Sequence, residues 1–316
     1  MAFGLDTDRV LKQLGSGANE LNLDYFDIVK LPNPLPAGLR ALRCSETKIT
    51  ELPPLPEGLE VLIICYVAGL TSINKLPSTL KVLDCWGTPL KGLPQLPDGL
   101  KELVCGRTKI TCLPPQPDSL EILRCSDTDI KYIPKLSLSL KNLNAGGSKL
   151  MKLPETVPYW LETLNLEGSC VTELPKNLPP YLTTLAINKT MISELPPLPD
   201  SLRNLYIERT LIKTLSKPLP KNLENIDCSR DLAEDIFAGI LPLSIKSIGC
   251  SCVYLKGKAI YDEGCFDCYY TKNCSGSYSD AYFTWYNSRC VDRAQERAYL
   301  IKTELIKAVY KPCFAY

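Results

Sequence analysis

Apolar residues recur along this chain with a single spacing. Leu21, Leu42, Leu62, Leu83, Leu103, Leu123, Leu143, Leu164, Leu185 and Leu205 follow one another at intervals of 20 or 21 residues, and Ile226 and Ile248 continue the series at 21 and 22. Two residues after each comes a second apolar position, as in Leu42 and Cys44, so apolar and polar side chains alternate over a short stretch. Alternation of period two marks a strand with one buried face. A unit this small cannot bury that face alone. Neighbouring units must stack, which predicts a parallel sheet of about twelve strands over one continuous core between residues 18 and 252.

The segments around each strand share a pattern as well. Thr47, Thr71, Thr88, Thr108, Thr128, Ser148, Ser169, Thr190 and Thr210 form a hydroxyl column at the turn leaving the sheet, expected to hydrogen-bond the buried backbone of adjacent turns. The return segments, such as LPPLPEG at 52–58 and LPPLPD at 195–200, are too short and too rich in proline for an α-helix. An extended, polyproline-like convex side is expected, with the P-x-x-P runs serving as scaffold because they keep register with the repeat. Tyr66 to Leu70 lengthen one turn and predict a local bulge.

The stretches LPPLPEGLEVL, LPQLPDGLKEL and LPPLPDSLRNL match the motif L-P-x-L-P-x-x-L-x-x-L almost letter for letter. In this the chain resembles the bacterial-type leucine-rich repeat family, found in bacterial effectors, with similar cysteine-bearing arrays in large DNA viruses and amoebae. The resemblance implies a leucine-rich repeat solenoid, curved and right-handed, with a parallel β-sheet on its concave face and small helical caps. It also directs attention to that concave face as a surface for binding another protein.

Composition bears on compartment and partner. There are fifteen cysteines, but Cys44, Cys85, Cys105, Cys125 and Cys228 fall in an inward column that elsewhere holds Ile64, Leu166, Ile187 and Ile207, where a thiol behaves as a small apolar side chain. The start of the chain shows no signal-peptide run and no later stretch approaches a membrane span, so the expected setting is a reducing cytoplasm, that of a host if the protein is viral or an effector. Thirty-six basic against thirty-five acidic residues leave a formal charge of +1. Neither nucleic acid nor a membrane is the expected partner; another protein is.

Register identifies the outward positions. One column runs Arg43, Ile63, Asp84, Val104, Arg124, Asn144, Asn165, Ala186, Tyr206, Asp227; its neighbour runs Ser45, Cys65, Trp86, Gly106, Ser126, Gly146, Glu167, Asn188, Glu208, Ser229. Trp86 falls beside Ile63, Val104, Arg107 and Arg124, an aromatic and arginine group of the kind that anchors interfaces. Lys189, Tyr206, Arg209 and Arg230 make a second, more basic group suited to an acidic partner. The reading is a non-catalytic protein-protein interaction scaffold.

Residues 1–17 are expected to form an N-terminal cap, with Val10, Leu11 and Leu14 on one helical side, and residues 253–316 a C-terminal, cysteine-containing helical module. A helix over about 280–311 is an alternative binding element, the repeats then only spacing it. Cys265 and Cys268, with Cys274 and Cys290 or the pair Cys250 and Cys252, offer four thiols for a structural zinc ion; with no histidine in the chain such a site is all cysteine. Cys290-Val291-Asp292 also resembles the C-x-D motif of the bacterial effector ubiquitin ligases. That resemblance implies Cys290 as the thioester nucleophile and Asp292 as its acid/base partner. The ligases' catalytic domain is several times longer than the roughly 60 residues that follow the repeats here.

Overall fold

The computed structural model describes residues 19–229, Leu232, residues 242–250 and a short antiparallel pair, Tyr254–Leu255 with Lys258–Ala259. The expected N-terminal cap, the tail helix, Arg230, Cys252, Cys265, Cys268, Cys274, Cys290 and Asp292 lie outside the described residues. The chain divides into two compact units, one ending at Cys170 and one beginning at Val171.

In the first unit, β1 (Glu20–Asn22), β2 (Ala41–Arg43), β3 (Val61–Ile63), β4 (Val82–Asp84), β5 (Glu102–Val104), β6 (Ile122–Arg124), β7 (Asn142–Asn144) and β8 (Thr163–Asn165) pair in sequence order. Every pairing is parallel, and the register sets each leucine of the repeat against the next, from Leu21 and Leu42 to Leu143 and Leu164. The second unit repeats the scheme with β9 (Thr184–Ala186), β10 (Asn204–Tyr206), β11 (Asn225–Cys228) and β12 (Ser247–Cys250). Each unit is therefore a parallel β-solenoid, as the alternation predicts.

The core is a stack of columns. Leu42, Leu62, Leu83, Leu103, Leu123, Leu143 and Leu164 are fully covered, as are Cys44, Ile64, Cys85, Cys105, Cys125, Ala145 and Leu166 two residues on. Burying one such leucine stabilises by about 1.5–3 kcal/mol, so stacking offsets the entropy that one short repeat could not. The thiols in this column pack as apolar groups. Burial pushes Cys44 and Cys125 up to about 12, and the same cause raises Cys85 and Cys105 well above the ordinary thiol value.

The return segments hold no helix between residues 19 and 229. Each ends instead in a tight turn in which a carbonyl three residues back accepts the N–H of the first core leucine, as in Leu59 to Pro56, Leu100 to Pro97 and Leu202 to Pro199. Proline is well placed there, because it supplies an acceptor and needs no donor.

The hydroxyl column differs from its expectation. Thr47, Thr108, Thr128, Ser148 and Thr190 donate to the carbonyl three residues earlier in their own turn, at 2.6–2.8 Å, rather than to an adjacent one. Thr71 is exposed and does not belong to the column; buried Val67 takes its place. Lacking a hydroxyl, Val67 leaves its turn open, and Thr88 closes it from the next repeat by donating to the carbonyl of Ile64 at 2.5 Å and accepting the Val67 N–H at 2.9 Å. The lengthened turn expected here is present. Val67 and Leu70 are buried in it, and Gly69 fits because a Cβ would meet the Ile49 carbonyl oxygen at 2.9 Å.

Candidate docking face

Outward side chains come from the strand positions between the buried ones and from the turn that follows. In the repeats of β1, β4, β7 and β8 they serve the backbone. Asn22, Asp84, Asn144 and Asn165 each accept the N–H two residues on, at 2.9–3.1 Å. Asp24 and Ser45 do the same for the next repeat, accepting from Ser45 and Cys65. Such groups hold the turn.

From β3 to β6 the face turns apolar and aromatic. Val61, Ile63, Cys65, Val82, Trp86 and Ile122 are half-buried there, and Tyr66 stands 48 % exposed. The turn residue of each repeat adopts a left-handed backbone, with φ of 55° at Glu46, 53° at Tyr66, 70° at Gly87, 51° at Arg107, 54° at Asp127 and 64° at Gly147. That conformation suits glycine and costs other residues about 1–2 kcal/mol. Tyr66, Arg107 and Asp127 bear the cost where Gly87 and Gly147 avoid it, and strain of this kind concentrates where side chains have work beyond packing.

These side chains interlock across repeats. Tyr66 lies over Gly87, where a Cβ would stand 2.5 Å from its ring, and Trp86 lies over Gly106. The Trp86 indole N–H donates to the Tyr66 hydroxyl at 3.0 Å. The Arg107 guanidinium sits 5.7 Å from the Trp86 ring centroid and pairs with the Asp127 carboxylate at 3.2 Å. Asp127 and Tyr66 together push the arginine's pKa further up. Asp127 in turn leans over Gly147. The result is a ridge of Tyr66, Trp86, Arg107 and Asp127 bordering the apolar strip.

The opposite border of the strip is a ladder of charged residues at the position preceding each of β2 to β7, with each glutamate set between two basic neighbours. Glu60 pairs with Arg40 at 2.5 Å and Lys81 at 2.6 Å, and Glu121 with Lys101 at 3.5 Å and Lys141 at 2.8 Å. Both carboxyls are held below their ordinary range, first by the lysine hydrogen bond. In the second unit Glu224 pairs with Arg203 and Lys246 in the same way.

Of the first expected group, the structure brings Trp86 and Arg107 into contact and sets Ile63 in the outward column beside Asp84. Arg124 reaches back to Glu102 at 3.7 Å instead. Val104 is the exception: it is only 6 % exposed, because its short side chain stands between the longer Asp84 and Arg124 in register. Ala186 is covered similarly at 8 %. In the second unit Lys189 and Arg209 share the left-handed turn position at φ 56° and 55°, Arg209 lies 3.3 Å from Glu208, and Tyr206 is half-buried in the strand column. Tyr66 and Asp127 escaped the sequence reading. For Asp127 the signal was present, since it sits one place before Thr128, as Arg107, Lys189 and Arg209 sit before their own hydroxyls; for Tyr66 it was not, because Val67 stands where the hydroxyl would be.

No protein-family model and no curated protein matches the chain. Solved structures do. YopM of Yersinia pestis, a leucine-rich effector protein, is similar over 78 % of this chain and 81 % of its own, at 25 % identity and a TM-score of 0.62. YopM from Yersinia enterocolitica WA-314 covers the same shares at 22 % identity and a TM-score of 0.51. A chain of an octameric complex of Latrophilin 3, Unc5D and the leucine-rich repeats of FLRT2 is similar over 67 % of this chain and 81 % of its own, at 16 % identity and a TM-score of 0.55. With the repeat in its sequence, the parallel ladder in its structure and these likenesses, the chain is a leucine-rich repeat protein.

Proposed function

We propose that this protein is a non-catalytic scaffold that binds another protein on the outward sheet face of β3 to β6. The observation that carries the reading is the ridge of Tyr66, Trp86, Arg107 and Asp127. Three of its four members hold a left-handed backbone that glycine would adopt at less cost, and the fourth spreads an indole across a neighbouring glycine. Aromatic and arginine side chains beside apolar strand residues are what interface anchors consist of. The strand backbone is already spent on the ladder, so this face offers side chains rather than an edge for strand addition.

Two further points support the reading. The similar structures include a leucine-rich effector and a chain from an assembly of several proteins. The buried thiol column suits a reducing compartment, in which we place the protein. Lys189, Tyr206 and Arg209 provide a second outward group for an acidic segment of the partner.

The test is site-specific photo-crosslinking in the native cell, with the photoreactive residue at position 63 or 66 and, as a control, at Glu57 on the return side. A protein adduct that forms from 63 or 66, is absent from 57 and is lost with Trp86→Ala supports the face. Equal adducts from all three positions would overturn it.

A further inference from the structure

The return side carries a second surface whose chemistry differs from the sheet face. Five of the exposed large apolar side chains of the first unit fall within one stretch: Tyr132 at 61 %, Leu138 at 62 %, Met151 at 48 %, Tyr159 at 57 % and Trp160 at 52 %. Leu138 and Tyr159 occupy the same place in successive turns, since the turns Ser137 to Leu140 and Pro158 to Leu161 close with the same hydrogen bond. Stacked repeats therefore set them about 5 Å apart along the array. Tyr159 and Trp160 form an edge-to-face pair with centroids 5.1 Å apart, and the Tyr132 hydroxyl reaches the Met151 sulfur at 3.4 Å.

In the turns before β2, β3, β5 and β6 these positions are small or charged: Ala37 and Gly38, Glu57 and Gly58, Asp98 and Gly99, Asp118 and Ser119. They also have a scaffold duty. Thr79 donates to the carbonyls of Glu57 and Leu59, and Ser119 to those of Asp98 and Leu100, clipping each repeat to the one before. At Tyr159 and Trp160 two half-exposed rings stand in these places.

Charge accompanies the rings. From Ile130 to Pro154 the chain carries Lys131, Lys135, Lys141, Lys149 and Lys152 and no carboxylate, and all five lysines are exposed. Lys135, Lys141 and Lys149 touch Asp118, Glu121 and Asp129 of the preceding repeat at 3.8, 2.8 and 2.5 Å. Such exposed pairs are weak and exchange readily for another anion. Tyrosine and tryptophan have an apolar body and a polar tip, which suits the boundary between headgroups and acyl chains, while lysines beside them favour anionic headgroups. Leu138, Tyr159 and Trp160 at half exposure offer on the order of 300 Å², well short of the roughly 800 Å² per partner of a stable protein interface.

We propose that this ridge seats the protein peripherally on an anionic lipid surface, with Leu138, Tyr159 and Trp160 entering the headgroup layer and Lys131, Lys135, Lys149 and Lys152 meeting its charge. No helix among the described residues is long and apolar enough to cross a membrane, so the contact is one of surface only. It turns the sheet face away from the lipid and is independent of the function proposed for that face.

The probe is large unilamellar vesicles of phosphatidylcholine, with and without phosphatidylserine, co-sedimented with the full chain. Binding is expected to the serine-containing vesicles, to fall with added salt, and to weaken about tenfold in the double variant Tyr159→Ser and Trp160→Ser, but not in Trp86→Ala. In the full chain with Trp86→Phe and Trp285→Phe, brominated phosphatidylcholine mixed into the anionic vesicles should quench Trp160; this second reading stands even if the double variant folds poorly. No binding, equal binding by the double variant, or binding without quenching overturns the proposal. So does a change of oligomeric state in the double variant with vesicle binding unchanged, which would assign the ridge to a protein contact.

Discussion

The Trp86 ring fills the place a side chain at Gly106 would need: a Cβ there would lie 2.2 Å from the indole and 2.9 Å from the carbonyl oxygen of Ser126. One contact can move only with the ring and the other only with the backbone. Gly106→Ala is therefore expected to destabilise by about 1–3 kcal/mol, read as a lower urea midpoint. With Trp160→Phe and Trp285→Phe in place, the emission of Trp86 should also shift to the red. An unchanged midpoint and emission would mean the ring does not rest there.

Trp86 and Arg107 should act together in recognition. Trp86→Ala is expected to weaken partner binding by about thirtyfold and Arg107→Ala by less, with the double variant little worse than Trp86→Ala because the guanidinium is oriented by the ring. Additive losses, measured by titration calorimetry with the crosslinked partner, would show two independent contacts.

Thiol chemistry should sort by place in the repeat. At pH 8 iodoacetamide is expected to label Cys112 and Cys170, which are exposed, and to spare Cys44, Cys85, Cys105 and Cys125. Cys65 should react slowly although it is only half-buried, because burial first and then Asp84 push it up to about 12. Peptide mapping of the labelled native protein decides the matter, and early labelling of Cys105 would contradict the packed column.

Glu121 shapes the acid limb of stability. Its pKa is held below the ordinary 4.5 by Lys141 first, with Lys101 adding to it. A carboxyl depressed in the folded state contributes stability above its unfolded pKa and loses it as pH falls through the folded one. The melting temperature should therefore drop as pH falls below about 4.5, and Glu121→Gln should flatten that limb by lowering the melting temperature above it while changing little at the acid end. Equal acid limbs would remove Glu121 from the account.

The hydroxyl column can be tested at two sites. Thr108→Val removes one bond to the Cys105 carbonyl and should cost about 1 kcal/mol. Thr88→Val leaves both the Val67 N–H and the Ile64 carbonyl without their partner, and about 2 kcal/mol is expected. Urea unfolding compares them; the reverse order would contradict the shared closure.

Sequence carried the ladder because one period was repeated many times, and the register of Leu42, Leu62 and Leu83 follows from counting. It also put Trp86 and Arg107 together, being neighbours in adjacent outward positions. Tyr66 was misplaced because its turn is longer than the others, which hid its equivalence to Arg107 until the backbone angles revealed it. Thr71 was assigned by residue type where Val67 holds the place. The charge ladder of Glu60 and Glu121 was equally hidden, since its residues lie about twenty apart and form no run along the chain. The exposure of Trp160 had no sequence signature, because an aromatic residue beside a core leucine reads as part of the core.

A chain of this kind lengthens and shortens by whole repeats, and the threonine turns decide where a copy can be cut out. Where the hydroxyl closes its own turn, as at Thr108 and Thr128, a unit takes that closing bond with it, and the repeating ladder can re-form on the next copy. The repeats of Val67 and Thr88 are different, since each holds half of one closure. Gain or loss of repeats in the lineage of this protein should therefore spare that pair, leaving Val67 and Thr88 as a fixed landmark from which the number of units on either side can be counted.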